Sequence, residues 1–187
     1  MKQSLGSLSN DYCPQALFLY GTYKDDGTPN FGLFCWFSYC FDGEMGIMAC
    51  IGGEKLTKDI IRKKRIFSAN LVTEELLPLA DYFGNHEGYE ADKMKVEVSV
   101  QKGAVLEVPI LTKSPWVYEL EVKQEIKLDD GDVFLCRVRN ILAEENLIEN
   151  RRHPLPLELA KPVISCKQTY FSVGQPLGNW GDWKDRT

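Results

Sequence analysis

The stretch NFGLFCWFSY, Asn30 to Tyr39, decides how the rest of the chain is read. It is apolar and aromatic enough for a strand. Side chains alternate across a strand, so the run presents two surfaces. Phe31, Leu33, Cys35, Phe37 and Tyr39 make an ordinary core face. Asn30, Gly32, Phe34, Trp36 and Ser38 make a face that is both aromatic and hydrogen-bonding. Such a face suits a planar polar group. Trp36 and Phe34 would give stacking or edge contact, and Asn30 and Ser38 would read carbonyl and ring-nitrogen groups. Each residue also has a plainer reading: core for the two aromatics, and a turn position after Pro29 for Asn30.

Working outward, Ala16–Tyr23 (ALFLYGTY) reads as a strand, and DDGTPN supplies the turn between it and the quoted run. FDGE is a second turn. Met45–Ile51 (MGIMACI) is apolar throughout and reads as a third strand, buried on both faces. Three strands with short turns predict an antiparallel meander. Two glycines end the third strand. Thr57 is placed to cap a helix through about Arg65 that buries Ile60 and Ile61. IFSANLV, 66–72, predicts a further strand. A short helix is expected from Thr73, with Leu76, Leu79, Ala80 and Phe83 at helical spacing and Gly84 as its stop.

Residues 85–116 are loop-like, with a short strand or two in KGAVLEVPILTKSP. WVYELEVKQEIKL and VFLCRVRNILAEE flank the turn DDGD and predict a long β-hairpin. RRHPLPLELAKPV is proline-rich and extended. SCKQTYFSVG closes the sheet in this reading, and GNWGDWKDRT forms a tail whose Trp180 and Trp183 pack either across a dimer or on their own subunit. The pattern is mainly β with two inserted helices. A closed or split barrel fits it better than a doubly wound sheet, because no β-α-β alternation is sustained.

The 187 residues suit one domain, and an apolar fraction of 44 % is ordinary for a globular fold. A net charge of −5 argues against nucleic acid or an anionic membrane as the main partner. No apolar run approaches the length of a membrane helix, and MKQSLGSLSNDYCPQ has no apolar h-region, so a cytoplasmic protein is expected. The six cysteines include no C-x-x-C pair, and only His86 and His153 could join them, which disfavours structural zinc. Reduced thiols are expected.

The strongest local charge signal follows Ile51. Residues 54–65 hold six basic side chains (Lys55, Lys58, Arg62, Lys63, Lys64 and Arg65) against Glu54 and Asp59. Lys55, Thr57 and Lys58 surround a helix start, where free N–H groups and the dipole favour an anion. The alternative is a solvated basic helix with an ordinary threonine cap, and no P-loop pattern is present. One short strand joins this helix to the quoted run, so the two should be neighbours. Together they would suit a phosphorylated, flat heterocycle.

At these residues the chain resembles the flavin reductase-like, FMN-binding split-barrel family, and within it the flavoredoxin branch. The resembling pieces are PQALFLYGTYKDDGTPNFGLFCWFSY, ACIGGEKLT, DYFGNHEGYEADK, KGAVLEVPILTKSPWVYELEV and YFSVGQPLG, in that order, from about Pro14 to Gly178. The resemblance implies a mainly β, split-barrel domain over 1–187, forming a homodimer with FMN near the subunit interface. It places Asn30, Trp36, Phe37 and Ser38 on a flavin-contacting strand and Cys50 and Ile51 on the strand beside the ring. Lys55 and Thr57 match phosphate-binding positions. Lys93 resembles a flavin-contacting lysine, and Tyr170 or Phe171 a C-terminal aromatic near the flavin. Where many relatives read Gly-Asp-His this chain has Gly131-Asp132-Val133, and Glu87-Gly88 stands for a Ser-Gly.

The activity so implied is an FMN-dependent oxidoreductase taking a hydride from NAD(P)H or electrons from a redox protein. The alternative is a non-catalytic FMN electron carrier or flavin store. A third reading is a structural dimer module without flavin. No G-x-G-x-x-G is present, so a nicotinamide donor would have to stack transiently on the flavin. No metal site is expected.

Overall fold

The computed structural model describes residues 1–4, 6, 13–90, 93–149, 156–178 and 182. Trp180, Trp183 and His153 lie outside them. The chain runs β1 (Gln15–Ala16), β2 (Phe18–Tyr23), β3 (Pro29–Phe34), β4 (Phe37–Phe41), β5 (Met45–Gly52), α1 (Leu56–Lys64), β6 (Ile66–Leu71) and α2 (Leu77–Asn85). A single 3-10 turn at Lys93–Lys95 leads to β7 (Val100–Lys102) and β8 (Pro109–Leu111). The long hairpin β9 (Trp116–Leu128) and β10 (Gly131–Ala143) follows. Short helices α3 (Glu145–Glu149) and α4 (Leu157–Ala160) precede β11 (Val163–Cys166) and β12 (Thr169–Ser172). The fold is mainly β, as the sequence predicts.

The quoted stretch is not one strand. It breaks at Cys35–Trp36, and the seven-stranded antiparallel sheet has the order β3-β2-β6-β9-β10-β5-β4. β3 and β4 therefore sit at opposite edges, where a meander would have paired them. The edges approach through side chains. The Phe37 ring stacks on Phe18 with centroids 4.2 Å apart and also reaches Tyr20 and Tyr118. A sheet that curls until its edges meet through side chains rather than a ladder is a split barrel. Its interior holds Tyr20, Ile47, Ile51, Ile61, Phe67, Leu120 and Phe134, all fully buried.

A second core lies on the other side of β2 and β3. Phe31, Leu19, Val72 and Leu111 pack there against Leu76, Ala80 and Phe83 of the α2 segment. Burial on both faces explains why β2 shows no alternation of apolar and charged residues. Contrary to the reading from the sequence, β11 and β12 do not close the main sheet. They pair with β1 in a separate three-stranded sheet. α2 runs one residue past Gly84, so that glycine is not its stop.

β5 is buried on one face only. Ile47, Ala49 and Ile51 point inward while Met48, on the opposite face, is exposed and Cys50 only half-buried, which corrects the expectation of burial on both faces. Gly53 follows with φ +62°, a left-handed turn that glycine adopts without strain, and leads the chain into α1.

Candidate functional site

The site is built around the first turn of α1. Lys55, extended at φ −141° and ψ 133°, is the residue before the helix, and no side chain caps it. Thr57 is not the cap. It lies inside the first turn, buried, and its Oγ1 accepts a 3.0 Å hydrogen bond from Asn30 Nδ2. The same amide reaches Thr22 Oγ1 at 3.3 Å. The Asn30 amide thus ties β3 to the helix through Thr57 and to β2 through Thr22, and its Oδ1 is buried without a partner. A Cβ on Gly32 would come within 2.9 Å of Thr57 Oγ1 and 2.8 Å of the Phe34 ring. Glycine is needed there for the close approach. The predicted neighbourhood of the odd-faced run and the helix start is therefore present.

Further side chains surround this helix start. Lys55 Nζ meets Glu87 Oε1 at 2.7 Å. Lys93 is only 3 % exposed, and its Nζ lies 5.7 Å from the Phe83 ring centroid, within cation–π range. Among the described residues it has no ion-pair partner, and burial pulls its pKa down. The Tyr82 hydroxyl donates to the Lys93 carbonyl at 3.2 Å, which fixes the backbone that aims this side chain. The His86 ring stacks on Tyr82 at 4.0 Å and its Nδ1 lies 2.8 Å from the Tyr82 carbonyl.

Most of the positive charge of α1 does not face this place. Lys58 is buried against Asp132 at 3.2 Å, and it also donates to the Gly53 carbonyl. Arg62 binds Asp132 at 2.5 Å and Glu125 at 2.8 Å. Lys63 pairs with Asp25, and Lys64 donates to the Lys24 carbonyl. The basic run is largely neutralised by residues distant in sequence. Of the two lysines expected to seat an anion, Lys55 is in position and Lys58 is committed to the interior.

The seat lined by Lys55, Thr57, Gly88 and Lys93 opens along Leu33, Phe34 and Gly84 into a wider cleft of about 580 Å³. Cys35, Asp81, Lys167 and Tyr170 line its far end. Tyr170 donates to Asp81 Oδ1 at 2.6 Å, and burial together with this bond pushes its pKa up to about 12. It is a hydrogen-bonded neutral wall. Phe34, stacked on Tyr20 at 4.6 Å, belongs to both parts of the cleft.

The remaining candidates fall around the bend. Trp36 is partly exposed, with its ring against Gly52, where a Cβ would be 3.2 Å away. The Trp36 carbonyl accepts from the Cys50 N–H at 2.9 Å. Ser38 is exposed on β4 and does not share a face with Asn30, because the break resets the alternation. Phe37 and Ile51 are core side chains, so only their backbone is available to a ligand. Phe171 is exposed on β12. Cys50 is half-buried, its thiol pKa raised by desolvation and by Asp132. Val133 pairs with Cys50 in the β10–β5 ladder. The neighbouring Asp132 is a structural counter-ion for Lys58 and Arg62. His86, Glu87 and Gly88, which sequence reasoning did not single out as site residues, line the seat. Their only sequence signal is the spacing of glycines between DYFG and the following lysine.

The outer face of β5 and β10 is apolar and open. Met48 lies opposite Leu135, and Cys50 opposite Val133, with Ile126 beyond them on β9. Met48 is 41 % exposed and Ile126 39 %. This face begins beside Trp36, the chain neighbour of Cys35 in the cleft wall.

A curled antiparallel sheet with an anion-prone helix start beside a bent edge strand defines a split barrel with a cleft at that edge. Residues 10–172 match the flavin reductase like domain, and the chain belongs to that family. The flavoredoxin of Desulfovibrio vulgaris (Miyazaki F) is similar in structure, with a TM-score of 0.85 at 24 % identity, covering 97 % of this chain and 98 % of that one. An FMN-binding protein from Thermus thermophilus with bound p-hydroxybenzaldehyde aligns with a TM-score of 0.77 at 23 % identity over 96 % and 98 % of the two chains. A flavoredoxin from Methanosarcina acetivorans gives 0.82 at 17 % identity over 100 % and 98 %. None of the curated proteins matches the chain. Among the described residues no helix is long and apolar enough to cross a membrane, and no cluster of ligands could hold a metal ion.

Proposed function

We propose that the chain binds FMN in this cleft and works as an oxidoreductase of the flavin reductase or flavoredoxin type. The observation that carries the reading is Lys93. A buried cation with no ion-pair partner among the described residues, beside a helix N-terminus and at the narrow end of an aromatic-walled cleft, calls for an anionic ligand. The donor set fits a phosphorylated flavin. Lys55, Lys93 and the first-turn N–H groups of α1 would hold the phosphate, with Thr57 fixed in place by Asn30. Phe34 and Trp36 would flank the ring, the Cys50–Ile51 backbone would border it, and Tyr170 or Phe171 would close the far side. Bound FMN would supply the redox chemistry, taking a hydride or electrons from NAD(P)H or a redox protein and passing them on. The protein's part is to bind, orient and shield it.

A second copy of the chain would cover the apolar face of Met48, Leu135 and Ile126, making a homodimer with the clefts near its interface. The cysteines stand outside any disulfide, which suits a reducing compartment such as the cytoplasm. The test is anaerobic mixing of FMN-loaded protein with NADH or NADPH. Bleaching of the flavin, followed by turnover with free flavin or another acceptor, supports a reductase. Reduction only by a partner protein supports the carrier reading. Failure to bind any flavin refutes both.

A further inference from the structure

The following inference rests on the flavin reading of the cleft. The seat beside α1 is charged but not open. Its volume is about 40 Å³, room for a few waters. The Glu87 carboxylate sits on Lys55 at 2.7 Å, in the place an incoming anion would take. Its charge acts on Lys93 as well. A short turn delivers it there: the Glu87 N–H donates to Glu90 Oε1 at 3.0 Å, and the Glu90 N–H donates to the Glu87 carbonyl at 3.1 Å. The Glu87 side chain is 55 % exposed, so it can swing into water without disturbing the core.

We propose that Glu87 is an internal competitor for the ligand's phosphate: a phosphate seats on Lys55, Lys93 and Thr57 only by displacing the Glu87 carboxylate. Two consequences follow from electrostatics alone. The phosphate's gain from Lys55 is reduced by the ion pair it breaks, and the displaced carboxylate still repels it at short range. Riboflavin carries no phosphate and meets neither penalty. Glu87 therefore narrows the preference for FMN over riboflavin and makes the phosphorylated ligand easier to release.

The experiment titrates wild type, Glu87→Gln and Glu87→Ala with FMN and riboflavin by flavin fluorescence, and with inorganic phosphate by phosphorus NMR. Removing a partly exposed competing charge should tighten FMN and phosphate about three- to tenfold and leave riboflavin unchanged. The alanine variant, which also opens the seat, should gain at least as much as the glutamine one. Unchanged or weaker FMN and phosphate binding would overturn the proposal, as would equal tightening of riboflavin. Tighter phosphate in the variants with no flavin bound by any form would uphold the role of Glu87 and refute the flavin reading. Normal flavin binding with no effect of either variant would do the reverse.

Discussion

Asn30 Nδ2 lies 3.0 Å from Thr57 Oγ1, joining β3, at one edge of the barrel sheet, to the first turn of α1. Both residues are buried. This bond places the helix start beside the β3 backbone at Gly32 and so gives the cleft its narrow end. Replacing Thr57 with valine keeps the shape and removes the acceptor, leaving a buried amide donor with only its longer bond to Thr22. The expected loss of stability is about 1–3 kcal/mol, read by urea denaturation. Thr57→Ser should recover most of it.

Asp132 takes the charge of Lys58 and Arg62 where all but Arg62 are sealed from water. Asp132→Asn leaves the buried Lys58 ammonium with only the Gly53 carbonyl and the exposed Glu54 carboxylate at 3.4 Å, and should cost about 3 kcal/mol, with a lower urea midpoint. Adding Lys58→Met removes the stranded charge and should return part of the loss. If the single variant were as stable as the wild type, the pair would not be an internal one.

Glu119 is fully buried, and its carboxylate accepts the N–H groups of Ala104, Val105 and Leu106 and the amide of Asn140. Burial pushes its pKa up, but these bonds outweigh it and hold the group below the ordinary value of 4.5. A depressed carboxylate contributes stability above its unfolded pKa, and loses it as pH falls through the folded one. Acidification below about pH 4.5 should therefore weaken the wild type. Glu119→Gln should be less stable at neutral pH and show a flatter acid limb.

The apolar face of β5 and β10 predicts self-association. Leu135→Glu, placed opposite the exposed Met48, should convert a dimer to a monomer in sedimentation with the circular dichroism spectrum retained. A wild-type monomer at tens of micromolar would remove the proposed partner of this face.

Elements set by local signals were legible in the sequence. The DDGD turn and the alternation on either side locate the β9–β10 hairpin, and Ile60 and Ile61 locate the buried side of α1. What failed depends on distant partners. Nothing in Phe34–Phe37 breaks a strand, yet the chain leaves one sheet edge there and joins the other. The cause is tertiary, since Phe37 has to reach Phe18. Parity counted through the break put Ser38 on the face of Asn30, which it does not share. The basic run of α1 read as an anion seat because Asp132, Glu125 and Asp25 are far away in sequence. Glu119 alternates like a solvent-facing residue and is buried by a loop that only the fold brings to it. Lys93 has no pattern of its own, and resemblance alone pointed to it.

A phosphorylated flavin is proposed to occupy the cleft with its charged end at the start of α1. A crystal structure of the protein grown with FMN tests it most directly. The phosphate should lie within hydrogen-bond distance of Lys55, Thr57 and Lys93, with the ring running past Phe34 toward Trp36. FMN elsewhere on the molecule, or a cleft that stays closed at saturating FMN, would contradict it.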